Sequence, residues 1–132
     1  MRAVLDTNIL VSGLLRADGP PATVVRQLAT QEIQPVVCAA ITAEYRAVLS
    51  RRKLRLRAAD VAELLALIEA QALWVELAPH ERPPALPDLA DWPFIACALA
   101  AACPVITGNL RHFPASLGVR TLTARAWVDG QR

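Results

Sequence analysis

Residues 2–8, Arg2-Ala3-Val4-Leu5-Asp6-Thr7-Asn8, contain the pattern that decides the fold. The stretch Arg2–Leu5 is a short apolar run of strand length, and the polar triplet after it is typical of a helix start. An apolar helix is then predicted over Ile9–Leu15. A strand that leads directly into a helix is characteristic of α/β domains, so this beginning favours that class.

The same alternation of strands and helices continues outward from this start. Further strands are predicted at Gln34–Cys38, Leu73–Leu77, Val105–Thr107 and Val119–Leu122. The turn residues Asp18-Gly19-Pro20-Pro21 separate the first helix from the helices predicted at Ala22–Thr30, Ala40–Arg51, Ala59–Ala72 and Asp88–Ala102. A loop is predicted at Pro79–Pro87, and Thr123 is predicted to cap a terminal helix. We therefore expect an α/β domain with a central, mostly parallel sheet of four to five short strands, covered by helices on both faces.

Length and composition limit the class of protein. The chain has 132 residues, of which 55% are hydrophobic and 20% charged, and this composition excludes a disordered protein. We expect one domain over residues 1–132. No apolar run is long enough to cross a membrane and the N-terminus does not resemble a secretory signal, so a cytoplasmic protein without a membrane partner is expected. The three cysteines, Cys38, Cys97 and Cys103, are interpreted as reduced core residues and not as zinc ligands.

Polar residues follow two of the predicted strands directly. Asp6 follows the first strand, and Asn109 follows the fourth after Thr107-Gly108. In open parallel sheets, functional groups gather at the carboxyl ends of the strands, which makes Asp6 and Asn109 candidate site residues. The structural alternative is that both residues only cap helices.

Two further carboxylates lie in otherwise apolar helices, Glu44 and Asp91. Each helix starts just after a strand or loop at the same edge, so both carboxylates are in a position to converge with Asp6. Clustered carboxylates repel one another unless a cation neutralises them, and hard oxygen ligands favour Mg²⁺ or Mn²⁺. The alternatives are a solvated helix residue for Glu44 and a first-turn acid favoured by the helix dipole for Asp91.

A basic run follows the third predicted helix, with Arg51, Arg52, Lys53 and Arg55 among its residues. Its functional interpretation is contact with RNA phosphates, and its structural alternative is a solvated helix end and turn. Among the aromatic residues, Trp92 beside Asp91 is the one considered for contact with a base, although a core position is favoured for it.

Four short motifs, in this order, are similar to the motifs of a known protein family. They are Val4–Ser12, Glu44–Leu49, Asp88–Ala96 and Val105–Leu110. Together they resemble the PIN-domain proteins and, more narrowly, the toxin components of bacterial toxin-antitoxin pairs that are related to the VapC ribonucleases.

The resemblance implies a PIN-like three-layer domain and a metal-dependent endoribonuclease. The family's first three acids fall on Asp6, Glu44 and Asp91, which are expected to hold Mg²⁺ or Mn²⁺, while Asn109 stands at the position of a fourth acid. His112 replaces another acid and is expected to contact a phosphate. The residues expected to support the site are Thr7, Asn8, Asp88 and Thr107. The resemblance also implies an RNA substrate, a cognate antitoxin that inhibits the protein, and a homodimer.

Two rival functions remain open from the sequence. The first is a catalytically silent PIN-like module that binds RNA or a protein, suggested by the neutral Asn109 and by His112. The second is a small phosphotransfer or phosphatase domain that uses Asp6 as its nucleophile, although the sequence offers no evident lysine partner.

Overall fold

A parallel β-sheet forms the centre of the protein. The structure, a computed structural model, describes residues 1–77, 86 and 88–130. Within these residues, five strands pair in the spatial order β3-β2-β1-β4-β5 and all four pairings are parallel. The strands are β1 (Arg2–Leu5), β2 (Gln34–Val37), β3 (Leu73–Trp74), β4 (Val105–Ile106) and β5 (Thr121–Leu122). The predicted fold class and strand number are confirmed.

Helices connect and cover the strands. They are α1 (Thr7–Leu15), α2 (Pro20–Ala29), α3 (Ala39–Leu49), α4 (Ala58–Gln71), α5 (Trp92–Ala101) and α6 (Ala124–Asp129). The prediction that Pro20-Pro21 lies between two helices is wrong, because both prolines form the first turn of α2. Proline is favoured there, since the first turn of a helix leaves its N–H groups unbonded and proline has none. Thr123 caps α6 as predicted, accepting a hydrogen bond from Ala126 N.

Other boundaries also differ from the prediction. The helix predicted from Asp88 begins at Trp92, because Asp88 caps a 3₁₀ turn, Leu89–Asp91, that precedes it. The third strand ends at Trp74 instead of Leu77, and the last strand begins at Thr121 instead of Val119. The predicted loop Pro79–Pro87 lies, apart from residue 86, outside the described residues. In the part of the chain that is described, no helix combines the length and the apolar character needed to cross a bilayer.

The sheet is buried on both faces. The consecutive residues Ala3, Val4 and Leu5 of β1 are all fully buried. Because neighbouring side chains of a strand point to opposite faces, both faces of β1 must be covered. Tyr45 of α3 adds a specific contact, since its hydroxyl donates a 2.6 Å hydrogen bond to the carbonyl of Leu5. This bond anchors α3 to the last residue of the central strand.

The order of the strands creates a crevice at one edge of the sheet. From β1 the chain builds outward through β2 and β3, and it then returns to the other side of β1 with β4 and β5. Such a reversal leaves an opening at the carboxyl ends of the two strands where it occurs, here β1 and β4. Leu5 pairs with Ile106 at these ends, so Asp6 and Thr107 are the next residues of the two strands.

Candidate functional site

Asp6 is held at the end of β1 by the neighbouring strand β4. The hydroxyl of the fully buried Thr107 donates a 2.7 Å hydrogen bond to Oδ2 of Asp6. The same hydroxyl accepts a 3.0 Å hydrogen bond from the backbone N–H of Asn109. Asp6 makes no capping bond to α1 through its side chain, so the capping alternative for this residue is wrong. Its carboxylate is instead fixed toward the crevice.

Glu44 is brought to the same edge by α3. This helix begins at Ala39, directly after β2, and its second turn lies beside the start of α1. The hydroxyl of Thr7, itself buried, donates a hydrogen bond to Oε2 of Glu44. Glu44 is half-buried and hydrogen-bonded, unlike a fully solvated helix residue. Thr7 directly follows Asp6, so this hydrogen bond holds the carboxylate of Glu44 close to Asp6.

Asp91 forms a tighter group with two neighbours. It ends a 3₁₀ turn, Leu89–Asp91, and makes no capping bond to α5. Nδ1 of His112 lies 2.9 Å from Oδ2 of Asp91. One ligand atom from each of Asp88, Asp91 and His112 lies within 4.8 Å of the others. Asp88 also accepts a 2.9 Å hydrogen bond from the N–H of Ala90, which accounts for its place in the turn.

The carboxyl of Asp91 is poorly solvated. Burial raises its pKa to about 6, the charge of His112 opposes this shift, and the charges of Asp88 and Asp6 add to it. Although Nδ1 of His112 is close, Oδ2 of Asp91 is buried and has no hydrogen-bond partner of normal geometry among the described residues. A poorly solvated carboxylate beside other negative charges costs free energy, which a bound cation would recover.

The donor set fits a hard divalent ion. Carboxylate oxygens dominate it, with one imidazole nitrogen, and Asp88, Asp91 and His112 each offer one ligand atom. In the described structure, however, the three predicted ligands do not form one close cluster. Asp91 groups with Asp88 and His112, whereas Asp6 and Glu44 are held nearby by threonine hydroxyls. His112, predicted to contact a phosphate, lies against a predicted ligand.

The remaining predicted residues lie at the rim or beyond it. Asn109 is exposed and its side chain does not cap the turn that follows, and Asn8 is exposed on α1. The basic run leaves α3 through a 3₁₀ turn, Arg52–Leu54, and its cationic side chains are exposed. Arg51 lies two residues beyond the end of α3, the helix that carries Glu44. The run borders a cavity of about 650 Å³ that is separate from the acidic crevice.

Two residues of the site region were not identified from the sequence. Tyr45 is completely buried, and burial together with the charges of Asp6 and Glu44 raises the pKa of its phenol well above the usual value. Its place in the apolar stripe of α3, directly after Glu44, was the signal available. Trp74 stands exposed at the end of β3, and nothing in the sequence distinguishes it from a core tryptophan. Trp92 packs half-buried against the core, as favoured.

Comparison with known proteins identifies the family. A family profile described as a PIN domain matches residues 2–111. The chain belongs to the PIN-domain family. No curated protein matches this PIN domain.

Two solved structures share the fold of this PIN domain. A chain of VapBC-1 from nontypeable Haemophilus influenzae is 15% identical with a TM-score of 0.59, over 95% of this chain and 99% of that one. A chain of FitAcB from Neisseria gonorrhoeae is 20% identical with a TM-score of 0.58, over 93% of this chain and 98% of that one. At these identities the likeness establishes the fold alone.

Proposed function

We propose that this PIN domain is a metal-dependent endoribonuclease and the toxin of a toxin-antitoxin pair. The observation that carries the proposal is the poorly solvated carboxyl of Asp91, whose ligand atom lies within 4.8 Å of those of Asp88 and His112 and whose pKa is raised by burial and by the charges of Asp88 and Asp6. Hydrolysis of an RNA phosphodiester by water needs a site of this chemistry, because charge develops on the phosphate during attack. Membership of the PIN family supports the assignment.

Asp6, Glu44 and Asp91 are the residues that would hold Mg²⁺ or Mn²⁺. When bound, the ion supplies Lewis-acid stabilisation of the phosphate and a water of lowered pKa. Thr107 and Thr7 orient the carboxylates of Asp6 and Glu44 through the hydrogen bonds described above. Fixed ligands lose less conformational entropy on binding, which is the role usually played by such neighbouring donors.

Other side chains of the crevice act on the substrate or on the ligands. His112, once Asp91 is ionised, is placed to donate a hydrogen bond to a phosphate oxygen or to steady Asp91. Asn109 completes the pocket with a neutral amide at its rim, and Asn8 adds a second exposed amide. Asp88, whose ligand atom clusters with those of Asp91 and His112, is proposed as an outer carboxylate that contributes negative charge.

The exposed basic run is proposed to hold the RNA backbone. Arg51, Arg52, Lys53 and Arg55 are exposed around the turn that follows α3. Cations of this kind attract phosphates without reading the sequence, and such binding weakens as salt is added.

The partners are proposed from the resemblance of the four motifs. We infer a cognate antitoxin that inhibits the enzyme, a homodimer, and action in the cytoplasm, where RNA is available. That the fold is shared with chains of VapBC-1 and FitAcB supports a place in this group of proteins.

The function is tested with purified protein and labelled single-stranded RNA. Cleavage is measured with Mn²⁺, with Mg²⁺ and with a chelator, for the parent and for Asp6→Asn, Glu44→Gln and Asp91→Asn. We expect cleavage with a divalent ion only, and a loss of at least about 100-fold in each variant. Asp18→Asn removes an exposed carboxylate outside the crevice and is the matched control. A variant that folds and cuts at the parent's rate contradicts the assignment.

A silent RNA-binding module is the second candidate. The neutral Asn109 and the imidazole of His112, which stand where the resembling proteins carry acids, favour it. Its signature in the same experiment is RNA binding without cleavage at any concentration of either metal.

A further inference from the structure

Trp74 presents an indole ring whose position is fixed although it is exposed. The residue ends β3, an edge strand of the sheet, and is 49% exposed. Its Nε1 donates a 3.1 Å hydrogen bond to the backbone carbonyl of Glu69, at the end of α4. This bond orients the ring, so a flat group can stack on it without a further loss of side-chain entropy from Trp74.

A cavity opens beside this ring. It measures about 520 Å³, and its walls include Trp74, Val75, Glu76 and the first residues of α3, Ala39 and Ala40. Small side chains, an aromatic ring and one carboxylate make a surface that suits a flat, partly polar group. Glu69, whose backbone carbonyl holds the indole, is itself held by a 2.8 Å ion pair between its side chain and Arg46.

The sheet register relates this cavity to the acidic crevice. Val37 of β2 pairs with Trp74 of β3. Ala3 of β1 pairs with Pro35 of β2, so Leu5, two residues after Ala3, lies level with Val37. Leu5, Val37 and Trp74 therefore form one row at the carboxyl edge. Two strand spacings separate the ends of this row, about 10 Å between the backbones. Asp6 follows Leu5 directly, so the indole and the crevice share one edge of the sheet.

We propose that Trp74 stacks on an unpaired base of the RNA strand whose phosphate lies in the acidic crevice. The inference rests on the proposed ribonuclease function and names a subsite for its substrate. Stacking on an aromatic ring tolerates every base, because each has a π-face. Glu76 accepts a hydrogen bond from an exocyclic amino group, which favours cytosine, adenine or guanine over uracil in this subsite.

The subsite is tested by measuring RNA binding under conditions that prevent cleavage. Affinity for a fluorescein-labelled single-stranded oligoribonucleotide is measured by anisotropy in the presence of a chelator. Trp74→Ala is expected to weaken binding about 5- to 150-fold, the range found when a stacking residue is removed. Trp74→Phe retains a ring and is expected to stay within about 3-fold of the parent. Leu15→Ala removes an exposed apolar side chain elsewhere and leaves affinity unchanged.

Two further measurements separate stacking from other effects. Duplex RNA of the same sequence hides its bases, so its affinity is expected to be equal for the parent and Trp74→Ala. RNA is expected to quench tryptophan fluorescence in the parent, and this quenching is expected to decrease in Trp74→Phe, which keeps Trp92 and Trp127. The second readout needs no alanine variant, so it holds even where Trp74→Ala fails to fold.

Each outcome supports or overturns the subsite. Equal single-strand affinity in folded Trp74→Ala, with quenching in Trp74→Phe as strong as in the parent, overturns it. The subsite is also overturned if Trp74→Ala changes the molar mass measured by light scattering while RNA affinity stays the same. The indole would then belong to a contact between two copies of the chain. If the parent cuts RNA but Trp74 has no effect, the nuclease stands and the subsite fails. If Trp74 governs binding but no metal supports cleavage, the subsite stands and the nuclease fails. A parent that binds no RNA overturns both.

Discussion

The hydroxyl of Thr107 donates a 2.7 Å hydrogen bond to the carboxylate of Asp6, joining residues 101 positions apart in the sequence. The two residues end neighbouring parallel strands, so the bond lies where the sheet changes direction. It restrains Asp6 before any ligand arrives. Because Thr107 also accepts a hydrogen bond from the N–H of Asn109, one hydroxyl organises both strand ends.

Removing this hydroxyl is expected to weaken metal binding. Thr107→Val nearly preserves shape but leaves Asp6 without its donor, and loss of such an orienting neighbour commonly lowers metal affinity about 10- to 100-fold. Thr107→Ser keeps the hydroxyl and is expected to stay near the parent. Mn²⁺ affinity is measured by calorimetry for all three proteins. Equal affinity in the valine variant would show that Asp6 needs no help from Thr107.

Asp91 is expected to make the metal-free protein less stable as the pH rises. Its pKa is raised to about 6 in the folded protein from an ordinary value of 3.8. The stabilising contribution of the bound proton is therefore complete below about pH 4 and is lost as the pH rises through 6. A shift of this size corresponds to at most about 3 kcal/mol in the free energy of unfolding.

Asp91→Asn is the variant that tests this pH dependence. It removes the buried charge, so with a chelator present it is expected to be about 1–3 kcal/mol more stable than the parent at pH 7.5 and to differ little at pH 4. Urea unfolding at both values measures the difference, with Asp18→Asn as the control for an exposed carboxylate. A variant that is less stable than the parent at pH 7.5 would favour a structural role for Asp91.

The strands and the edge of the site were predictable because both follow from local patterns. The apolar run before Asp6 and the one before Thr107 have the length of buried strands, and parallel strands place their carboxyl ends together. β3 was predicted too long, because Val75 and Leu77 extend the apolar pattern although only Leu73 and Trp74 pair with β2. Pairing depends on the neighbouring strand, which the local sequence does not contain.

Side-chain partners in the site were not predictable. His112 lies against Asp91 because a 3₁₀ turn, Leu110–His112, folds back over the start of α5. The periodicity of the sequence does not indicate that this turn approaches the start of α5. The hydrogen bond between Thr7 and Glu44 likewise depends on how α1 and α3 pack. Sequence patterns indicate which edge of the sheet a residue occupies, whereas rotamers and turns decide what it touches.

The basic run is expected to act through charge. Arg52→Gln combined with Arg55→Gln removes two exposed cations, so affinity should fall for all RNAs alike. The slope of log affinity against log salt should become shallower by about 0.7 for each RNA phosphate that the variant no longer neutralises. Binding is measured with a chelator over a range of salt concentrations. The pair Arg16→Gln and Arg125→Gln removes two exposed arginines elsewhere as a matched control. An unchanged slope would assign the run to the solvated surface.

Asn109→Asp tests whether the neutral residue at the rim limits metal binding. Its backbone N–H contacts the hydroxyl that holds Asp6, so the added carboxylate enters at the edge of the crevice. A further anionic oxygen is expected to tighten Mn²⁺ binding by neutralising more of its charge, about 10-fold for a gain near 1.4 kcal/mol. If occupancy limits the parent, cleavage at low metal rises in proportion, and the difference vanishes when the metal is saturating.

The outcome separates the two functions proposed for the crevice. Calorimetry with Mn²⁺ and RNA cleavage across a metal titration are measured for the parent and for Asn109→Asp. Gln31→Glu adds the same charge at an exposed position after α2 and controls for the net charge of the protein. Unchanged affinity would place Asn109 outside the metal pocket. Tighter binding without cleavage in either protein would favour the silent module, because an occupied site would then still lack the means to hydrolyse RNA.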